Sequence, residues 1–246
     1  MRCVDPLNTP VTSSSASLPK IIGSARHILL DFDGSICSIF EGVTAQAVAD
    51  QLRRRLEAAG IELPGDTFAT SDPLEVLRDA STLGRHASDR AQSLLTDLEI
   101  EAVRTARPTP GAAGVITAAD QTGRTVTIVS NNSPEAIVEY LVSHDIPAHI
   151  RTIYGRDDAD PAHLKPHPYR MHKAIAGLGA FVSPGHCAMI GDSPSDVTAA
   201  RQARVAVIGY ASRPGKSELL ADAGPDVIIA DLAEITTALL STPIAE

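Results

Sequence analysis

The chain has 246 residues, 43% of them apolar and 21% charged, with a formal net charge of −9. That length holds one large domain or a core with a smaller insert, and no apolar run nears a membrane span, so no membrane partner is expected. The acidic balance excludes the basic face of a nucleic-acid binder, and an anionic ligand would need local positive charge. Lysine is scarce: only Lys20, Lys165, Lys173 and Lys216.

Residues 1–25 carry Ser, Thr and Pro without a continuous apolar segment, so a disordered leader is expected there and not a secretory signal. Cys3, Cys37 and Cys187 are scattered and odd in number, which indicates neither a disulfide framework nor a thiolate zinc site. A reducing, cytoplasmic setting is expected, with Cys37 and Cys187 packing as small apolar residues.

The run His27-Ile28-Leu29-Leu30 reads as a short buried strand ending in Asp31-Phe32-Asp33-Gly34-Ser35. A side-chain period of two puts Asp31 and Asp33 on one side, and Gly34 lets the backbone turn. Next, Val43, Ala47, Val48, Leu52 and Leu56 mark a helix closed by Gly60. The Arg53-Arg54-Arg55 run within it reads most simply as a solvated face. After a loop over 61–72, a helix starts at Pro73 and another runs from about Ala87 to Ala106, so residues 39–106 form an all-helical block. Pro108-Thr109-Pro110-Gly111 ends it.

Alternation follows. A helix over about 112–122 leads to the β-branched strand Thr125–Val129, and Ser133 caps a helix with Pro134 at its first position. Strands near 149–154, 186–190 and 205–208 alternate with helices from Pro168 and Pro194; a last strand over 226–230 precedes a terminal helix. The pattern predicts an α/β fold, a doubly wound, Rossmann-like parallel sheet covered by helices, built from residues 26–38 and 107–246 around the helical insert.

Ligands of open α/β sheets bind beyond the carboxyl ends of the strands. Those ends carry Asp31 and Asp33, then Ser130 and Asn131, then Lys165, then Asp192 and Asp196. Together they offer a nucleophile, an acid, hydroxyl and amide donors, a cation, and carboxylates for a hard metal. Asp196 also stands three residues after Ser193, the spacing of a capping box. His163, His167 and His172 match no usual zinc spacing.

Hydrophobic residues followed by D-x-D-G-S at Asp31–Ser35, Ser130 at a strand end, Lys165 before Pro166, and G-D-S-x-x-D at Gly191–Asp196 resemble, in order and placement, the motifs of the haloacid dehalogenase superfamily. The likeness spans about residues 26–235 and is greatest to the phosphatase branch with a helical cap inserted after the first motif. Ser35 stands where Thr is commoner and keeps the hydroxyl. The resemblance implies Asp31 as covalent nucleophile and Asp33 as acid and base. It implies Mg²⁺ held by Asp31, the Asp33 carbonyl and Asp192, with Asp196 in the outer shell. Lys165, Ser130 and the backbone near Asn131 would hold the phosphoryl group.

Dehalogenases have no use for an acid at Asp33, so phosphoryl transfer is expected. The 39–106 block contains no Lys for a Schiff base and only His86 among its histidines, which disfavours phosphonoacetaldehyde hydrolysis and a sugar-phosphate phosphomutase or phosphotransferase. A non-catalytic phosphate-binding protein would not need the second acid. The expected substrate is a small phosphorylated metabolite, and the chain is expected as a monomer or homodimer. Arg53, Arg54, Arg55, Arg78, Arg85, His86 and Arg90 are basic groups available in the cap. One of them pointing into the cleft would suit an acidic substrate such as phosphoglycolate. The scarcity of aromatics argues against a stacking pocket for large bases.

Overall fold

Strand β1 (His27–Leu30) lies at the middle of a six-stranded parallel sheet, paired on one side with β4 (Thr125–Val129) and on the other with β6 (Cys187–Gly191). A computed structural model describes residues 17–65, 70–146, 149–158 and 160–245. From β1 the chain runs outward through β4 to β5 (Ile150–Tyr154), then returns across β1 to β6, β7 (Ala206–Tyr210) and β8 (Val227–Ile229), giving the order β5-β4-β1-β6-β7-β8. The direction of winding therefore reverses between β1 and β6, where a doubly wound sheet opens a crevice.

Both faces of β1 are covered. Ile28 and Leu30 pack into a cluster with helices α1 (Leu18–Ser24), α5 (Ala112–Gln121), α6 (Pro134–Ser143) and α10 (Leu232–Ser241). Leu29 packs to the opposite side, against α7 (Tyr169–Leu178), α8 (Pro194–Gln202) and α9 (Lys216–Ala223). This two-sided burial explains why the strand has no polar alternation.

The helical insert leaves and rejoins the core through two short strands, β2 (Cys37–Ser38) and β3 (Arg107–Pro108), which pair antiparallel with Ser38 opposite Arg107. Between them lie α2 (Ala45–Ala58), capped by the Thr44 hydroxyl, α3 (Pro73–Thr82), capped by Asp72, and α4 (Arg85–Val103). Leu52, Leu56, Val76, Leu77, Leu95 and Leu98 bury into a separate apolar cluster shared by these three helices. Among the described residues no helix is long and apolar enough to cross a membrane.

Two sequence expectations are corrected. The disordered leader expected over residues 1–25 gives way to structure at its end: residues 18–24 form α1, with Pro19 in its first turn and Ile21 and Ile22 buried. The buried Arg124 anchors it, donating to Ile22 O at 3.2 Å and Ala25 O at 3.0 Å. Residues 1–16 lie outside the described residues. Helix α9 was not anticipated, because only Leu220 of its eight residues is buried and its apolar periodicity is faint.

Candidate active site

The Asp31–Gly34 turn is built against the end of β6. Asp31 N donates to Ile190 O at 3.0 Å, which fixes the exit of β1. Gly34 has φ 86°, and a Cβ there would collide with the Asp192 carboxylate. Only glycine fits this left-handed, closely approached position. The turn buries Asp31 and folds Asp33 back so that its Oδ1 accepts from Ile39 N at 3.0 Å.

Lys165 comes from the loop between β5 and α7. Asn131 positions it through two amide hydrogen bonds: Lys165 N donates to Asn131 Oδ1 at 2.8 Å, and Asn131 Nδ2 donates to Lys165 O at 3.2 Å. The buried ammonium then donates to Asp31 Oδ1 at 2.6 Å, to Val129 O at 3.1 Å and to Asp196 Oδ1. Asp196 is fully occupied, because its Oδ2 accepts from Ser193 Oγ at 2.7 Å and from Ser193 N at 3.1 Å. The capping-box reading of this residue and its place beside Lys165 are thus both present. At Asp192 an unanticipated partner arrives: Lys216, from α9, pairs with Oδ2.

Oxygen atoms of Asp31, Asp192 and Asp196 come within 4.8 Å of one another, and all three residues are buried. Burial first, and then the Asp196 and Asp192 carboxylates, raise the Asp31 pKa far above its ordinary range, with Lys165 opposing. Burial also raises Asp192, against the pull of Lys216. Desolvation alone would lower Lys165, yet Asp196 and Asp31 hold it above the usual lysine value. A buried, oxygen-rich cluster short of positive charge fits a hard divalent cation.

Asp33 has a different environment. Burial lifts its pKa to about 6, with the Ile39 N–H opposing and the Asp192 charge adding to the rise. Ser130 is buried, its hydroxyl donating to Asn132 Oδ1 at 3.1 Å and accepting from Asn132 N at 3.1 Å. The Ser35 hydroxyl is buried without a hydrogen-bond partner. Asp31, Asp33, Ser130, Asn131, Lys165 and Asp192 all line one cleft of about 340 Å³, and Phe40, Asp72, Leu74 and Glu99 of the insert face them.

Sequence reasoning missed a buried pair at the wall of this cleft. Glu99, on α4, and Arg156, after β5, are each 1% exposed and joined at 2.7 Å. Glu99 also accepts from Ser133 N at 2.8 Å and from Asn132 Nδ2 at 3.3 Å, while Arg156 Nε donates to Asn131 O at 3.1 Å. The pair thereby holds the Ser130–Ser133 segment between insert and core. A lone Glu on a helix and a lone Arg in a loop carry no spacing signal, so nothing in the sequence marked them.

Other candidates lie elsewhere. None of the insert's seven basic candidates lines the cleft. Arg55 pairs with Glu101, Arg78 with Glu75 and Arg85 with Asp89, while Arg53 is buried against Asp50 and Thr70 O, so the solvated-face reading fails at that one position. His163 stacks on Tyr169 with ring centres 3.7 Å apart and bonds Asp158, and His172 is exposed. A wider cleft of about 800 Å³ beside the insert is lined by Arg85, Asp89 and Asp157 among others, side chains that face water.

A parallel sheet with its polar groups gathered at one carboxyl edge, beside the winding reversal, defines a doubly wound α/β protein with its candidate site at that edge. The model of the haloacid dehalogenase-like hydrolases matches residues 25–204, and the chain belongs to that family. It is 28% identical to the phosphoglycolate phosphatase of Salmonella typhi over 130 residues, 53% of this chain and 50% of that one. It is 32% identical to the pyrophosphatase PpaX of Oceanobacillus iheyensis over 110 residues, 45% of this chain and 50% of the relative. The chain thus spans about half the length of the curated relatives it matches. Among solved structures, a predicted phosphatase from Clostridium acetobutylicum superposes with a TM-score of 0.66 at 17% identity, covering 88% of this chain and 98% of that one. A haloacid dehalogenase-like family hydrolase from Streptococcus pneumoniae gives 0.60 at 16% identity, covering 87% and 98%. At such identities these two speak for the fold.

Proposed function

We propose that the protein is a Mg²⁺-dependent phosphatase that hydrolyses a small phosphate monoester through an aspartyl-phosphate on Asp31. The observation that carries this reading is the pairing of unlike acids on one cleft floor. Asp31 lies 2.6 Å from Lys165 Nζ, whereas Asp33 accepts from Ile39 N at 3.0 Å and burial raises its pKa. The family match and phosphoryl-hydrolysing relatives support the same chemistry.

Asp31 attacks phosphorus as the ester P–O bond breaks, and Asp33 gives its proton to the departing oxygen. Asp33 then takes a proton from water as that water attacks the aspartyl-phosphate, which frees phosphate and restores Asp31. Lys165 stays charged throughout and faces the phosphoryl oxygens; Ser130 and the free N–H of Asn131 complete their binding. Asp31, the Asp33 carbonyl and Asp192 are the ligands we assign to Mg²⁺, and Asp196, with both oxygens engaged, stays in the outer shell. When bound, the ion neutralises the clustered carboxylates and draws charge from the phosphoryl oxygens. Residues 39–106 act as the cap that excludes water and meets the leaving group.

The test is release of phosphate from a generic aryl phosphate with Mg²⁺. EDTA should abolish it, and Asp31→Asn should lower it by at least roughly a thousandfold, as loss of a covalent nucleophile does. Unchanged turnover by Asp31→Asn would overturn the assignment.

A further inference from the structure

We propose that the insert wall of the cleft selects a monoester whose leaving alcohol is polar but not anionic, such as a polyol or amino alcohol, and disfavours a hydroxy acid. The inference rests on the phosphatase reading and names the substrate class of that same site. It begins at Asp72, which stands at the N-cap of α3 and lines the cleft. One carboxylate oxygen accepts from Leu74 N at 2.9 Å; the other has no partner, and no cation pairs with Asp72 among the described residues. Its charge is thus open to whatever occupies the insert side of the cleft.

The nearby cations are committed elsewhere. Lys165 serves Asp31 and Asp196, Lys216 serves Asp192, and Arg156 balances Glu99. None of the insert's Arg or His residues reaches the cleft wall. Residues 66–69, outside the described residues, read Asp-Thr-Phe-Ala and contribute no basic group by composition. With the phosphoryl group on the floor beside Lys165, a carboxylate on the leaving group would meet Asp72 without a counter-charge. A hydroxyl or ammonium would instead donate to the free Asp72 oxygen, while Phe40 and Leu74 limit the room beside it. Like charges brought together in a part-buried site discriminate more sharply than a lost contact does. The preference would separate this protein from the phosphoglycolate phosphatases to which it is similar.

The experiment compares glycerol 3-phosphate, ethanolamine phosphate and 2-phosphoglycolate. It measures kcat/KM with the unmodified chain and Kd with the Asp31→Asn chain, both in Mg²⁺. Glycerol 3-phosphate or ethanolamine phosphate should be favoured over phosphoglycolate by at least about tenfold in both quantities. Asp72→Asn keeps the helix-capping acceptor and removes the charge, so it should narrow the gap by improving phosphoglycolate. Equal or better use of phosphoglycolate by the unmodified chain, or a ratio unmoved by Asp72→Asn, overturns the proposal. If no ester releases phosphate, the phosphatase reading fails on its own, and the ratio of Kd values still decides the selectivity.

Discussion

Asp31 and Asp33 are one residue apart, yet their surroundings ask different things of their protons. Asp33 binds its proton more tightly in the fold, at about 6, than an ordinary aspartate does at 3.8. The folded state therefore holds more protons between those values. This stabilising contribution is complete below about 4 and lost as pH rises through about 6. Denaturant melts of the metal-free protein should show that decline, and Asp33→Asn should flatten it; an unaltered slope would remove Asp33 as its source. If Asp33 gives the proton, the leaving-group step slows once pH passes the Asp33 pKa, measurable as single-turnover release from a poor leaving group. At Gly34, Ala substitution should abolish turnover, because the added Cβ meets the Asp192 carboxylate. At this scale the sequence was informative where chemistry is local: Asp31, Asp33, Ser130, Asn131, Lys165 and Asp192 carry their own motifs and share one cleft. Lys216 was invisible because its partner lies 24 residues back in the chain.

Helices and strands were legible where caps and periodicity agree. Ser133 with Pro134 marks the start of α6, and its side chain does accept from Ala136 N. The contact of α4 with the Ser130–Ser133 segment was not legible, since it rests on Glu99 and Arg156, 57 residues apart. Removing either partner strands a buried charge, so Glu99→Ala or Arg156→Met should cost about 3–5 kcal/mol in urea denaturation. The double variant should cost less than the sum. Additive losses would mean that the two act separately. Arg124 serves α1 and α10 in a similar way, donating to Ile22 O at 3.2 Å and to Thr242 O at 2.8 Å at the ends of the two helices. Its replacement by Met should loosen both ends, read as faster amide exchange there than in α8.

For the molecule as a whole, the parallel sheet brings four distant loops to one edge and with them an excess of buried negative charge. Divalent metal should then raise the midpoint of thermal unfolding, since a ligand at a hundred times its Kd adds about 2.7 kcal/mol. Scanning calorimetry with and without Mg²⁺ measures this, and Asp192→Asn should erase the shift; a midpoint indifferent to Mg²⁺ would argue against the site. The βαβ order could be read from alternation alone, because the inner strands β1, β4, β6 and β7 are buried on both faces and read as continuous apolar runs between helices. What covers the cleft could not, because the insert's inward face is set by packing among α2, α3 and α4. The small pair of β2 and β3 has one more consequence. Since Ser38 and Arg107 face each other across it, the core chain experiences the whole insert as a loop whose ends are already joined. Loop-closure entropy grows only slowly with length. The core's folding is therefore nearly indifferent to how many residues the insert contains, and variation in its size costs the sheet almost nothing.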